Sequence, residues 1–303
     1  MRKGKTISTI ILISVFISIF IAGCKTKTKP SEISVEKFEH LGLTREYIYY
    51  SPENLNKGAS LLVVLHGFTS NATKIMNYSE FNSLAKENHF AVVYPQGTMD
   101  KDSNTFWNVG YSFHADISVD DVDFIVSLVK YLQNKYSLSV LNTYLTGMSN
   151  GGEMCYLLIC LHPEVFRAAA PVAGMMLKSF FDNSNSTKPI PVFAVFGTDD
   201  IVTNFNGDMS NNDGWGAYIS IPATIDYWAK RIDYDTIITD TLSDINISDS
   251  SYIISERFLN QQNENEVLFY KVVNGGHDWP GAWGNMDVSV SNKIWSFFEQ
   301  YIK

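Results

Sequence analysis

The sequence predicts an α/β fold, a mostly parallel central sheet with helices on both faces, and three observations carry that expectation. Short apolar runs alternate along the chain with segments of helical periodicity. The apolar runs are rich in Val, Leu and Ala with little polar alternation, the pattern of strands buried on both sides. A glycine-rich stretch, Gly147-Met148-Ser149-Asn150-Gly151-Gly152, leads straight from one such run into a helical pattern.

Strands are expected at residues 45–50, 61–65, 91–94, 143–145, 168–172, 191–196 and 267–273. The clearest helix, Asp121–Tyr136, puts Val122, Ile125, Leu128, Val129, Leu132 and Tyr136 on one face. Further helices are expected at Asn150–Leu161, Ile221–Arg231 and 288–302. Residues 240–266 are polar and acidic and read as a hairpin or an excursion from the sheet.

The N-terminus reads as a targeting segment. Arg2, Lys3 and Lys5 precede an apolar run, 10–22, and then Ile21-Ala22-Gly23-Cys24. A basic start, a short apolar core and small residues before a cleavage point make a secretory signal. Cysteine directly after Ala-Gly resembles the lipobox of bacterial lipoproteins, which implies lipidation of Cys24. The expected organisation is a signal peptide over 1–23, a flexible tether over 24–36 and one domain over 37–303. The membrane partner is then reached through a lipid on Cys24.

Composition closes off other classes. The formal net charge of −9 comes with no basic stripe, so nucleic acid is not an expected partner. No HExxH, paired CxxC or EF-hand loop appears, and neither a metal nor another cofactor is expected. Cys155 and Cys160 lie five residues apart on one expected helix, a spacing that makes a mutual disulfide geometrically poor. They read as buried free thiols.

The chemistry starts at Gly147-Met148-Ser149-Asn150-Gly151, a G-x-S-x-G between an expected strand and an expected helix. That context makes Ser149 a candidate nucleophile, because a sharp turn exposes the hydroxyl and the helix N-terminus favours negative charge beside it. The chain order Ser, acid, His then selects the base. Only His162 and His277 follow Ser149, and His162 ends the helix that the serine begins. That leaves His277, inside Gly275-Gly276-His277-Asp278-Trp279-Pro280-Gly281. The acid is Asp199 or Asp200, adjacent at the end of an apolar strand, and spacing alone does not choose between them. Oxyanion donors are expected from the backbone N–H of Asn150 and of Phe68, the latter in Leu65-His66-Gly67-Phe68, with His66 structural.

These motifs, with Val93-Tyr94-Pro95-Gln96-Gly97, Val119-Asp120-Asp121-Val122 and Ala170-Pro171-Val172-Ala173-Gly174, resemble the secreted polyhydroxybutyrate-depolymerase and feruloyl-esterase family of α/β-hydrolases. The resemblance implies a serine carboxylesterase in which Ser149 is nucleophile, Asp200 rather than Asp199 the acid, and His277 the base. It implies feruloyl or acetyl esters of plant polysaccharide as substrates, with a polyhydroxybutyrate-type polyester as the alternative. A surface lipoprotein that binds a ligand without turnover is the alternative of another class. Trp279 and Trp215 are the candidate substrate contacts. Phe68 and the Phe106-Trp107-Asn108 stretch lack cysteines that family members often carry, so no family disulfide is expected.

Overall fold

The apolar runs bury both of their faces, and that fixes the architecture. The computed structural model describes residues 32–184, 188–262 and 264–303. The expected leader and Cys24 lie outside them. Along β3 (Leu61–Leu65) every position is buried, with Leu61, Val63 and Leu65 in one apolar cluster and Leu62 and Val64 in another. Successive strand side chains point to opposite faces, so a strand with both sets apolar demands cover on both sides.

Besides β3, the chain supplies β1 (Glu32–His40), β2 (Leu43–Ser51), β4 (Ala91–Pro95), β7 (Thr143–Met148), β8 (Ala168–Val172) and β9 (Val192–Gly197). Next come β10 (Thr236–Thr241), β11 (Tyr252–Asn260) and β12 (Asn265–Val273), while β5 (Thr98–Met99) and β6 (Thr105–Phe106) form a separate two-stranded ribbon. Among the described residues one ten-stranded sheet has the order β1-β2-β4-β3-β7-β8-β9-β12-β11-β10. From β4 to β12 neighbouring strands run parallel, and antiparallel pairs finish both ends.

Helices α1 (Ala72–Ser79) and α2 (Phe81–Asn88) cover one face, together with α7 (Val290–Glu299), through Ile75, Phe81, Trp295 and Phe298. Helices α3 (Asp121–Tyr136), α4 (Asn150–Leu161) and α6 (Ile221–Arg231) cover the other through Phe124, Leu128, Met154, Ile225 and Trp228, and α5 (Lys178–Asn183) adds Phe180. Asp120 caps α3 by accepting from Asp123 N–H. Both cysteines on α4 are free and buried.

Two boundaries differ from the sequence reading, and a third stretch resolves the way one of its two readings had it. Residues 32–36, assigned to the tether on their polarity, are strand β1, antiparallel to β2. Glu36 holds that edge down by accepting from Tyr47 and Tyr136 hydroxyls at 2.8 Å each and from Lys135, bonds that bring its carboxyl to about 2 against the upward push of burial. The helix expected over 288–302 is shorter, because Ser289 caps it and it ends at Glu299. The acidic stretch 240–266 is largely the β10–β11 hairpin and its turn.

Candidate active site

Ser149, Asp200 and His277 follow β7, β9 and β12, all at the carboxyl edge of the parallel strands, where ligand sites of such sheets gather. Ser149 has φ 55° and ψ −122°, a conformation that L-residues rarely hold, and it caps α4. Its N–H donates to Val172 O at 2.8 Å, and its C=O accepts from Glu153 N–H, so the turn is tied to β8 and to the helix. A Cβ on Gly151 would lie 2.2 Å from Leu65 O, which is why this position admits only glycine as α4 passes the end of β3.

The side chains expected as base and acid meet. His277 Nδ1 lies 2.7 Å from Asp200 Oδ2. The Asp200 side chain is wholly buried, whereas that of His277 keeps 18% of its surface open. Asp200 Oδ1 accepts from the N–H groups of Val202 and Thr203 at 2.8 and 2.9 Å, and Oδ2 also accepts from the Thr203 hydroxyl at 3.2 Å. With the carboxylate so held, Nδ1 carries the imidazole proton and Nε2 is left basic. The loops reach each other because Gly197 has no side chain; a Cβ there would sit 2.2 Å from Gly275 O.

Of the two aspartates, Asp200 is the one that meets the imidazole. Asp199 is exposed and donates its N–H to Gly275 O, while Asp200 turns inward. Asp278, the sequence neighbour of the histidine, braces its own loop by accepting from Gly276 N–H at 2.8 Å. Ser149 Oγ makes no hydrogen bond to His277 among the described residues. Catalytic contacts of this kind often tighten only when substrate is bound.

Around the serine, the loop after β3 comes close: a Cβ on Gly67 would lie 3.4 Å from Ser149 Cβ. Neither Phe68 N–H nor Asn150 N–H has a protein acceptor among the described residues. The Asn150 side chain is clamped by the Trp107 backbone, accepting at 2.7 Å and donating at 3.1 Å. Trp107 is held in turn by its indole N–H donating to His66 O at 2.9 Å, and Asn108 N–H donates to Asp121 at 2.7 Å. Asp121 Oδ1 pairs with Arg45 Nη2 at 2.6 Å, the guanidinium also lying over Phe124 at 3.8 Å. This bracing network was invisible in the sequence, although its members fall within motifs that the resemblance had picked out.

His66 is structural. Its Nε2 accepts from Gly97 N–H at 3.0 Å, so Nδ1 bears the proton and donates to Gly67 O at 2.8 Å. Burial pushes its pKa down to about 4, with the Gly67 bond opposing.

The two tryptophans separate. Trp279 is 1% exposed, packs its ring edge-on against Tyr78 and Phe81, and donates to Ser291; it is core, and the expected substrate contact is corrected. Trp215 is half-buried and lies 5.9 Å from the Phe68 ring and 5.0 Å from Tyr111. Phe113 joins the same group, 6.0 Å from Phe68 and 5.5 Å from Trp215. These rings form an aromatic wall around Phe68, whose neighbour Gly67 packs against Ser149. Behind it, Glu153 is fully buried, accepts from the Tyr111 hydroxyl, and is pushed up to about 8 by burial, despite the Tyr111 and Asn150 bonds that oppose the shift.

The strand order and this edge of the sheet are those of the α/β-hydrolase fold. An acetyl xylan esterase structure from Aspergillus awamori shares the fold with a TM-score of 0.61 at 16% identity, covering 88% of this chain and 99% of that one. Residues 45–190 match the family described as Esterase PHB depolymerase, and the resemblance read from the motifs is borne out. A bifunctional acetylxylan esterase/xylanase of Neocallimastix patriciarum is 27% identical over 164 residues, 54% of this chain but 22% of that protein. The chain thus spans about a fifth of that relative's length. A putative esterase of Nocardia uniformis subsp. tsuyamanensis is 26% identical over 287 residues, covering 84% of this chain and 81% of the relative. Among the described residues no helix is long and apolar enough to cross a membrane.

Proposed function

We propose that this protein is an exported serine carboxylesterase, tethered by a lipid on Cys24, that hydrolyses acetyl or feruloyl esters of plant polysaccharide through an acyl-enzyme. The observation that supports the reading most is the 2.7 Å contact of His277 Nδ1 with buried Asp200, beside the strained turn that carries Ser149. His277 Nε2 takes the Ser149 proton as Oγ attacks the ester carbonyl. The N–H groups of Phe68 and Asn150 donate to the oxyanion, aided by the N-terminus of α4. His277 then protonates the departing alcohol, and it deprotonates the water that releases the acid. The relatives named acetylxylan esterase favour carbohydrate esters over a polyester.

The test is hydrolysis of 4-nitrophenyl acetate, acetylated xylan, methyl ferulate and hydroxybutyrate oligomers by wild type and by Ser149→Ala. Loss of the nucleophile should lower kcat on the order of a million-fold, as in other serine triads. Unchanged turnover in Ser149→Ala would overturn the assignment, and a folded wild type without turnover on any ester would favour a binding lipoprotein.

A further inference from the structure

Resting on the reading of Ser149 as nucleophile, with the N–H groups of Phe68 and Asn150 as oxyanion donors, we infer that Trp107 and Thr105 are positioning residues that set both donors together. The donors come from distant parts of the chain, Phe68 from the loop after β3 and Asn150 from the first residue of α4. Both N–H groups must aim at one point before charge forms there. A tie between that loop and that helix is then part of the catalytic geometry.

The tie consists of hydrogen bonds on either side of Phe68 and across to Asn150. The Trp107 indole N–H donates to His66 O at 2.9 Å, and Thr69 N–H donates to Thr105 O at 2.8 Å. The Thr105 hydroxyl donates to Ser70 O. Phe68 is thus bracketed in sequence by residues bonded to one short segment. From the same segment, Trp107 N–H donates to Asn150 Oδ1 at 2.7 Å, and the Asn150 amide donates to Trp107 O at 3.1 Å.

That segment is held from outside the main sheet. The β5–β6 ribbon runs straight into Trp107, with Thr98 paired to Phe106 and Met99 to Thr105. Gly97 lets the ribbon lie close, since a Cβ there would sit 2.3 Å from Phe106 O. Asp100 Oδ1 locks the ribbon's turn by accepting from Asp102 and Asn104 N–H at 2.9 Å each. Trp107 has no exposed surface, and its ring lies 4.9 Å from that of His66. Close-packed interiors transmit displacement, so a shift of the indole reaches the Phe68 loop and the start of α4 together.

The test separates the oxyanion from the ground state. Trp107→Phe keeps an aromatic ring and both main-chain bonds to Asn150 but removes the bond to His66 O. On 4-nitrophenyl acetate its kcat should fall about tenfold to a hundredfold, with KM within about twofold of wild type. An alkyl trifluoromethyl ketone reports on the hole itself. Ser149 Oγ bonds to its carbonyl carbon, the Ser149 proton passes to His277 Nε2, and the carbonyl oxygen becomes the hemiketal oxyanion. Its inhibition constant should rise by the same factor as kcat/KM falls. Thr105→Val, similar in shape, removes only the hydroxyl bond to Ser70 O and should show the same paired change at about fivefold; it decides the matter if Trp107→Phe does not fold. A fall in kcat without loss of ketone affinity, or two variants that match an active wild type, would overturn the positioning role alone. A wild type that neither turns over an ester nor binds the ketone would sink the esterase reading, and this inference with it.

Discussion

His66 and His277 stand in similar sequence settings and meet opposite fates. Each follows a strand of the parallel sheet, and each has glycine beside it. The loop around His66 fills both ring nitrogens with backbone partners and leaves the side chain without solvent. The loop around His277 gives one nitrogen to a buried carboxylate and keeps the ring at the surface. A glycine neighbour gives the loop freedom, but the partner of Nδ1 decides what the ring does. A carbonyl partner fixes a neutral strut, whereas a carboxylate partner stabilises the imidazolium that a general base becomes.

The sharpest way to break this comparison is to remove what is special about His277. Asp200→Asn should keep the loop folded yet lower kcat on small esters about ten-thousand-fold, because the amide presents its N–H to Nδ1 and favours the wrong tautomer. Steady-state kinetics with a circular dichroism control measure it, and a loss under tenfold would show that His277 does not depend on that carboxylate.

His66 should respond in stability. His66→Phe strands Gly97 N–H and Gly67 O in a dry interior, so unfolding free energy at pH 7 should drop by about 3 kcal/mol in urea melts. The sign with pH follows from the pKa near 4 in the fold against 6.5 in the unfolded chain. Between those values the unfolded chain binds the proton and the native one does not. The contribution is therefore whole above pH 6.5 and fades as pH falls to 4, at up to about 1.4 kcal/mol per unit. The variant should lose that part of the acid sensitivity, and an unchanged slope would remove His66 as its source.

Much of this was legible in the chain because it depends on local order. Strand-helix alternation predicted the parallel sheet, and the placement of Ser149, Asp200 and His277 after three of its strands predicted which side chains share an edge. Asp199 against Asp200 was not local: the choice turns on how a loop seats against Gly275, nearly eighty residues away in sequence. The misreading of Trp279 has the same origin. Its place two residues after His277 made it a candidate substrate contact, whereas Tyr78 and Phe81 arrive from another part of the chain to bury it. Residues 32–36 misled through polarity, since β1 is an edge strand whose Ile33 and Val35 face outward and whose Glu36 is held by side chains on β2 and α3.

The finest test concerns the buried acid one helical turn beyond the nucleophile. Among the described residues no cation pairs with Glu153; burial raises its pKa to about 8, the nearby Asp200 charge adds to that rise, and the Tyr111 and Asn150 hydrogen bonds only moderate it. At neutral pH the native state keeps this proton while the unfolded chain, at 4.5, has released it. Stability from this group is thus complete below pH 4.5 and declines as pH rises through 8, by up to about 1.4 kcal/mol per unit. Glu153→Gln preserves an acceptor for the Tyr111 hydroxyl without the titration. The variant should gain on wild type steadily from pH 5 to 8 in urea melts, opposite in sign to the His66 variant's relative change. It should also keep its ester turnover above pH 8, where an ionised Glu153 would set a negative charge beneath the forming oxyanion. A parallel pair of stability curves for Glu153→Gln and wild type would mean that the carboxyl is already ionised in the fold, and the buried proton proposed beside Tyr111 would be refuted.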